Sequence, residues 1–208
     1  MNTILISGGT GLIGRHLSGL LKSKGYKVRL LSRESNPKNS FPTFLWNIDQ
    51  NTIDDTSFNG VNHIIHLTGA GVANKRWTNK RKNEILDSRV DSTNLLYDTV
   101  KRLEVPLKSF VAASATGYYG STTTDKIFKE TNKAGNDFLS NVCELWEIAI
   151  NQFEHLKIRT VILRTGIVLS KEGGALEKMT APVITSIGNG KQFMPWIHID
   201  DLCELYIK

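Results

Sequence analysis

Three glycines at three-residue spacing, Gly8, Gly11 and Gly14, stand near the start of the chain. They follow a short apolar run at 4–6 and precede an amphipathic segment, an order typical of strand, tight turn and helix. Such a turn lets the backbone approach a diphosphate, toward which the free N–H groups of the new helix point. The spacing predicts a dinucleotide-binding turn, with a ligand-free glycine turn as the alternative. Its expected contacts are Gly8, Thr10, Gly11, Leu12, Ile13 and Gly14.

The end of the second predicted strand indicates which dinucleotide binds. An acidic residue there accepts from the ribose 2′-hydroxyl of NAD, whereas an arginine neutralises the 2′-phosphate of NADP. This strand ends at Ser32 and Arg33, so we expect a hydroxyl donor, a phosphate clamp and a preference for NADP. Glu34 follows directly and keeps NAD possible. A solvated surface arginine is the alternative for Arg33.

Apolar runs alternate with helical periodicity along the chain, which favours an α/β fold of the Rossmann type. That fold is a doubly wound parallel sheet with helices on both faces. Strands are predicted at 2–7, 27–31, 43–46, 62–67, 109–113 and 159–163. Helices are predicted at 12–24 and 78–103, after a cap at Asn136 or Asp137, from about 175, and after Asp200 or Asp201.

Ligands of such sheets bind at the carboxyl ends of the strands, where the strand order reverses. The loops at 8–14, 32–33, 67–71, 113–120 and 164–167 should therefore converge. Leu67, Thr68, Gly69 and Arg164 become expected cofactor contacts on this basis. Asp49 could approach the adenine edge, but we favour a turn there.

Composition is ordinary for a globular protein, with 208 residues, 40% hydrophobic and 22% charged. No apolar run approaches membrane-spanning length, and the start lacks a signal-peptide pattern. The net charge of +6 is spread along the chain, so we expect no nucleic-acid partner. The two cysteines, Cys143 and Cys203, match no metal or redox spacing and indicate free thiols in the cytoplasm.

Two regions are expected: an NAD(P)-binding domain at 1–165 and part of a substrate-binding region at 166–208. The sequence stops at Lys208 within a helical pattern. We therefore expect the 208 residues to be part of a longer protein. The substrate and the oligomeric state are not indicated.

Further motifs appear in order along almost the whole chain. They are GGTGLIG at 8–14, GAGVANKRWT at 69–78, ILDSR at 85–89, GYYG at 117–120, RTGIVL at 164–169, GGAL at 173–176 and WIHIDDL at 196–202. Together they resemble the atypical extended short-chain dehydrogenase/reductases of the NAD-dependent epimerase/dehydratase type. Some of those proteins are mislabelled as a cell-division inhibitor.

This resemblance implies an NADP-binding Rossmann domain and a smaller C-terminal substrate lobe. It also implies that Ser32, Arg33, Leu67, Thr68, Glu84 and Arg89 lie near the cofactor. The wider superfamily carries at the position of Arg89 an Asn that opens an Asn-x-x-Gly-Thr motif. The alternative is a solvated Arg89, or one paired with Asp87 or Asp91.

The superfamily's chemistry uses a tyrosine as general acid/base, a lysine one helical turn later and a serine at the preceding strand end. Ser114 is well placed for that serine. Matching the Trp146-Glu147 end of the helix puts Leu139 at the tyrosine and Cys143 at the lysine, and neither can do that chemistry.

Tyr118 and Tyr119 could donate a proton instead, or merely pack against the cofactor or under the loop. For Cys143 we favour a buried, inert thiol. For His198, Asp200 and Asp201 we favour a structural role, in which Asp200 caps the last helix and His198 satisfies backbone groups. No metal site is expected.

Two functions fit these observations. One is an NADP-dependent oxidoreductase or epimerase acting on a small carbonyl, hydroxyl or nucleotide-sugar substrate, with Ser114 and a tyrosine or water handling the proton. The other is a non-catalytic NADP-binding sensor or partner-binding module. The missing tyrosine and lysine favour the second, and the retained Ser114 loop supports the first.

Overall fold

The computed structural model describes residues 2–34, 39–179 and 190–208. Within these ranges, seven strands form the main sheet: β1 (Thr3–Ser7), β2 (Lys27–Ser32), β3 (Thr43–Asn47), β4 (Thr52–Ile53), β5 (His63–His66), β6 (Ser109–Ala115) and β7 (Arg159–Thr165). A separate parallel pair consists of β8 (Ile167–Leu169) and β9 (Trp196–His198). The helices are α1 (Leu12–Ser23), α2 (Asn79–Arg102), α3 (Phe138–Asn151), α4 (Ala175–Met179) and α5 (Ile199–Ile207). Short 3₁₀ helices span Asp55–Phe58, Thr116–Tyr119 and Gln152–Leu156.

The strand order of the main sheet is β4-β3-β2-β1-β5-β6-β7. Every pair is parallel except β3 with β4. The order reverses at β1, where Ser7 lies in register with Leu31 on one side and His66 on the other. Ligands of such folds bind in the crevice at the carboxyl ends of the strands where the order reverses, so the expected ligand site lies beside β1 and β5.

One face of the sheet packs against α2 and α3. Alternate strand residues such as Leu5, Ile64 and Phe110 point to this side and are fully buried. Phe110 stacks on Phe153 with ring centroids 3.7 Å apart. Burial of each such side chain contributes about 1.5–3 kcal/mol to folding.

The opposite face packs against α1 and α5. Ile4, Ile6 and Leu30 point to this side and contact buried residues of both helices, Leu17 and Leu202 among them. Helices therefore cover both faces, which confirms the predicted doubly wound sheet. α5, from the predicted substrate region, packs on the same core as β1.

The predicted elements occur with small shifts of their ends. α1 ends one residue early, and Gly25 follows in the left-handed conformation at φ +86°. Asp137 is the cap of α3: its carboxylate accepts from the Ser140 N–H. The antiparallel pairing of β3 with β4 was not predicted from the sequence; the turn that connects these strands contains Asp49. That turn is the interpretation we favoured for Asp49.

Across the described residues, every helix is too short or too polar to cross a bilayer. The cytoplasmic location stays a prediction.

Candidate active site

The turn between β1 and α1 is so closely packed that two of its glycines could not carry a side chain. A Cβ at Gly8, where φ is +74°, would lie 2.8 Å from the carbonyl carbon of Leu67. One at Gly14 would lie 2.4 Å from the Gly8 carbonyl oxygen. Gly11 differs, because its Cβ would meet only that same oxygen, at 3.4 Å. The protein's own packing requires Gly8 and Gly14, whereas a Cβ at Gly11 would make only one contact, at ordinary van der Waals distance.

The N-terminus of α1 has no side-chain cap. Gly11 is its N-cap residue, and the first turn, which contains Leu12 and Ile13, carries no acidic residue. In contrast, the side chains of Thr78, Asp137 and His198 cap α2, α3 and α5. The first N–H groups of a helix lack intrahelical acceptors and carry partial positive charge, so the start of α1 suits an anion. Thr10 is exposed beside it, and its carbonyl accepts from Arg15 at 2.8 Å.

The end of β2 is exposed at the same edge of the sheet. The Ser32 hydroxyl accepts from the Glu34 N–H at 3.2 Å. Arg33 and Glu34 are both exposed, and neither forms an ion pair with another described residue. The phosphate clamp at Arg33 stays a prediction.

The loop after β5 passes directly beside the glycine turn. Thr68 Oγ1 is buried, and among the described residues it has no hydrogen-bond partner. At Gly69 a Cβ would lie 2.9 Å from Arg89 Cζ. The loop thus contributes the unpaired hydroxyl of Thr68, and Gly69 allows the guanidinium of Arg89 to approach the loop backbone.

Arg89 projects from α2 into this region as a half-buried cation. It donates to the carbonyls of Ala70 at 3.1 Å and Ile85 at 2.8 Å, and its guanidinium carbon lies 5.1 Å from the Trp146 ring centroid. Burial lowers the pKa of Arg89. No carboxylate of a described residue pairs with it, so the alternative of pairing with Asp87 or Asp91 is wrong. A cation held out of water without a counter-charge favours an anionic ligand.

Glu84 lies on the first turns of α2, where it is exposed and paired with Arg81 at 2.7 Å. The hydrogen bond from Arg81 lowers the pKa of Glu84. Arg81 was not predicted from the sequence; it is buried and also donates to the Gly71 carbonyl. Arg81 lies four residues before the buried Ile85, and this helical spacing could have indicated that Arg81 is buried as well. Arg81 ties the loop after β5 to α2.

His66, at the end of β5, is fully buried below the crevice. Its Nδ1 lies 2.6 Å from Ser7 Oγ, and its Nε2 lies 3.1 Å from Thr93 Oγ1 and 3.3 Å from Ser92 Oγ. The hydroxyls on α2 donate to backbone carbonyls, so we assign the proton of the imidazole to Nε2. Burial, with a smaller effect of Arg89, lowers the pKa of His66 to about 3. A neutral histidine thus joins β1 to α2.

Ser114 and Arg164 meet because β6 and β7 pair them in register. Ser114 Oγ donates to Glu147 Oε1 at 2.6 Å. Arg164 donates to the same carboxylate from Nε at 2.8 Å and from Nη2 at 2.7 Å. The bond to Glu147 raises the pKa of Arg164 still further. Arg164, expected at the cofactor, is thus engaged by a carboxylate.

One face of α3 carries Leu139, Cys143 and Glu147 at four-residue spacing. A Cβ on Gly117, in the loop after β6, would lie 3.6 Å from Leu139 Cβ and 4.0 Å from Cys143 Sγ. Leu139 and Cys143 therefore do face the segment that follows β6, the strand that carries Ser114 near its end. Burial raises the pKa of the Cys143 thiol, which agrees with an inert cysteine. The four-residue spacing from Leu139 to Cys143, continued by four more residues, could have shown that Glu147 lies on the same face of α3.

The two tyrosines differ in their bonding. The Tyr119 hydroxyl accepts from Arg164 Nη1 at 2.9 Å and donates to the Lys129 carbonyl at 3.2 Å. Its ring stacks on Phe128 with centroids 4.7 Å apart. The Tyr118 ring lies under the Arg164 guanidinium at 3.5 Å, and its hydroxyl bonds to none of the described residues. The packing interpretation suits Tyr119, whereas Tyr118 retains a hydroxyl that could reach a ligand.

The cap of α5 is His198, so the expectation that Asp200 or Asp201 would cap it is wrong. Its Nδ1 accepts from the Asp200 N–H at 3.3 Å, as a residue satisfying backbone groups should. Asp200 lies in the first turn instead and pairs with His16 Nε2 at 2.6 Å. The physical reason is that the helix begins at Ile199, two residues earlier than we expected.

In the three described ranges, no group of three histidine, cysteine or acidic side chains could hold a metal ion.

Residues 4–208 match the family model described as NAD dependent epimerase/dehydratase family. An epimerase family protein of Mycobacterium leprae is 33% identical over 203 residues, which are 95% of this chain and 64% of that protein. The chain therefore spans less than two thirds of this relative's length.

Two solved structures are similar over nearly the whole chain. A nucleoside-diphosphate sugar epimerase from Corynebacterium glutamicum superposes with a TM-score of 0.83 at 31% identity, over 99% of this chain and 43% of that one. The human epimerase family protein SDR39U1 (isoform 2), solved with NADPH, gives 0.80 at 30% identity, over 97% and 67%. The chain belongs to the NAD-dependent epimerase/dehydratase family.

Proposed function

We propose that this chain binds NADP(H) at the crevice between β1 and β5, as a protein of the extended short-chain dehydrogenase/reductase type. The observation that carries the proposal is the uncapped start of α1 at Gly11, where an added Cβ would meet a single atom at ordinary contact distance. The related human protein was solved with NADPH, which supports the same cofactor here.

The residues present fit such a cofactor. A diphosphate suits the N–H groups that follow Gly11, and Thr68 Oγ1 is a buried hydroxyl still in need of a partner. Arg89 supplies a cation that no described carboxylate neutralises. Ser32 and Arg33 stand where the adenosine ribose and its 2′-phosphate would lie in this fold. When bound, the cofactor would supply hydride chemistry, and the protein would orient the reactants and exclude water.

We further propose an oxidoreductase or epimerase acting on a small hydroxyl, carbonyl or nucleotide-sugar compound. Residues 1–165 would form the cofactor domain, and 166–208 would begin the substrate-binding region. The sugar-epimerase relative from Corynebacterium glutamicum supports this substrate class. The alternative is a non-catalytic NADP-binding sensor or partner-binding module. The aliphatic Leu139 and the neutral thiol of Cys143 favour that alternative, because neither can replace a tyrosine and a lysine.

Calorimetric titration of the purified protein with NADPH tests the cofactor site, with the Gly11→Ala variant as the probe. Gly11 has φ −74° and room for a methyl group, so the variant should fold with nearly unchanged stability. The added methyl would meet the diphosphate, so NADPH affinity should fall at least about tenfold, which is about 1.4 kcal/mol.

Gly19→Ala is the matched control, since Gly19 lies on α1 with no atom within 4 Å of its added Cβ. It should leave NADPH affinity unchanged. A folded wild-type protein that takes up neither NADPH nor NADH would refute the proposed function.

A further inference from the structure

Ser114 is held by a hydrogen bond that decides what it can offer a ligand. Its hydroxyl donates to Glu147 Oε1 at 2.6 Å, and the two residues are only 4% and 7% exposed. A hydroxyl has one proton and two lone pairs. With the proton committed to the carboxylate, Ser114 can only accept a hydrogen bond from a ligand. The group that binds to it must therefore be a donor, such as an alcohol, and not a carbonyl.

Glu147 is held in turn by Arg164. Two guanidinium nitrogens bind its two carboxylate oxygens at 2.8 and 2.7 Å, which is the geometry of an ionised pair. Arg164 is itself anchored by the Tyr119 hydroxyl at 2.9 Å and the Glu130 carbonyl at 3.1 Å. The carboxylate is thus fixed in place, with Oε1 shared between Ser114 and Arg164.

α3 places this carboxylate on the face where the superfamily carries its tyrosine and lysine. Leu139 and Cys143 occupy those two positions, and Glu147 follows one turn later on the same face. A carboxylate therefore lies two helical turns beyond the tyrosine position at Leu139 and one turn beyond Cys143, on the same face. Ser114, near the end of β6, donates its hydrogen bond to that carboxylate.

We propose that Ser114 and Glu147 form a proton relay that accepts the proton of a substrate alcohol, with Arg164 as a positioning residue. This inference rests on the proposed NADP(H) site. The alcohol O–H proton passes to Ser114 Oγ while the Ser114 proton passes to Glu147 Oε1. When bound, the oxidised nicotinamide dinucleotide would take the hydride from the carbinol carbon, so the alcohol would become a carbonyl. The substrate enters as an alcohol, and the glutamic acid returns its proton to water afterwards.

The test uses the purified protein with NADP⁺ and a panel of propan-2-ol, cyclohexanol, glycerol and UDP-glucose. Formation of the reduced cofactor is followed by absorbance, and NADPH affinity is measured separately by calorimetry. Glu147→Gln keeps the shape but cannot take the proton. Since it leaves Arg164 without a counter-charge and could unfold the protein, Ser114→Ala is the second variant and keeps the ion pair intact. Glu144→Gln, an exposed position on the same helix, is the matched control.

We expect the wild type to oxidise at least one of these alcohols, more slowly in D₂O than in H₂O. Ser114→Ala and Glu147→Gln should each lower kcat at least about 100-fold, as loss of general acid–base catalysis does. The NADPH affinity of both variants and the KM of Glu147→Gln should stay within about threefold, whereas Ser114→Ala also removes the oxygen that accepts from the alcohol and should raise KM. The double variant should be no slower than either single variant, and Glu144→Gln should match the wild type.

Three results would overturn the relay. They are no oxidation of any alcohol in the panel despite NADPH binding, a Ser114→Ala or Glu147→Gln kcat within threefold of wild type, or a loss confined to stability and NADPH affinity. If neither NADPH nor NADH binds, the proposed function fails and the relay fails with it.

Discussion

The first turn of α1 rests on the turn that follows β1, with Gly14 in direct contact with Gly8. A Cβ on Gly14 would lie 2.4 Å from the Gly8 carbonyl oxygen, an atom that cannot move without the whole turn. The close approach positions the helix N-terminus over the crevice. Folding and the proposed binding of the cofactor diphosphate therefore depend on the same contact.

Gly14→Ala should destabilise the protein and weaken NADPH binding together. Forcing a methyl group into this contact should lower the free energy of unfolding by about 1–3 kcal/mol. Urea unfolding and calorimetry measure the two effects. Gly19→Ala in the same helix should instead raise the unfolding free energy, by up to about 1 kcal/mol. A Gly14→Ala protein as stable as wild type would contradict a close contact between position 14 and the Gly8 carbonyl oxygen.

Arg33→Ala should lower affinity for NADPH and leave affinity for NADH unchanged, because only NADPH carries the 2′-phosphate that Arg33 is predicted to bind. Loss of a charge-assisted hydrogen bond of about 1.5–3 kcal/mol corresponds to at least about a tenfold rise in Kd. Fluorescence titration with each coenzyme measures it. Arg159→Ala, another exposed arginine at the start of β7, should change neither affinity. Equal losses for both coenzymes would refute the phosphate clamp.

Arg89→Met should weaken NADPH binding with little effect on stability. The methionine keeps apolar contact with Trp146 but removes a cation that no described carboxylate neutralises. Loss of two backbone hydrogen bonds is offset by relief of the buried charge, so the unfolding free energy should change by less than about 1 kcal/mol. Thermal unfolding and calorimetry test this. Arg102→Met, which removes the exposed ion pair with Asp55, is the control and should leave NADPH binding intact. Unchanged NADPH affinity in Arg89→Met would show that Arg89 does not contribute to the site.

His66 should make the fold sensitive to acid. Its pKa is lowered from 6.5 to about 3, so between those values the unfolded chain binds one more proton than the folded chain. Stability then rises with pH in this window, and it is lost as pH falls below 6.5. Well inside the window the loss is about 1.4 kcal/mol per pH unit.

Urea unfolding from about pH 7 down to about pH 4.5 measures this slope for the wild type and for His66→Asn. Comparing slopes cancels the carboxylates common to both proteins, and the variant should have the shallower one. His155→Asn, at an exposed position, should keep the wild-type slope. Identical slopes for wild type and His66→Asn would show that His66 titrates normally.

The order of apolar and polar residues along the chain predicted those strands, helices and turns that are set by residues close together in sequence. Apolar runs and helical periodicity located the strands and the main helices, and the glycine spacing located the turn before α1. The cap at Asp137 was one of two adjacent choices, and the structure selected it because its carboxylate reaches the Ser140 N–H. The last helix was placed slightly late because an imidazole, not a carboxylate, caps it.

The sequence alone determined the class of the sheet and the turn at Gly8–Gly14. It also showed that Leu139 and Cys143 stand where we match the superfamily's tyrosine and lysine. Only the tertiary structure decided that Ser114 binds Glu147, 33 residues away, or that Arg89 has no carboxylate partner among the described residues. Turns and helices follow from interactions within a few residues, which the order of amino acids displays directly. Hydrogen bonds between distant side chains depend on strand register and on how α2 and α3 dock against the sheet, and those are set by packing of the whole core.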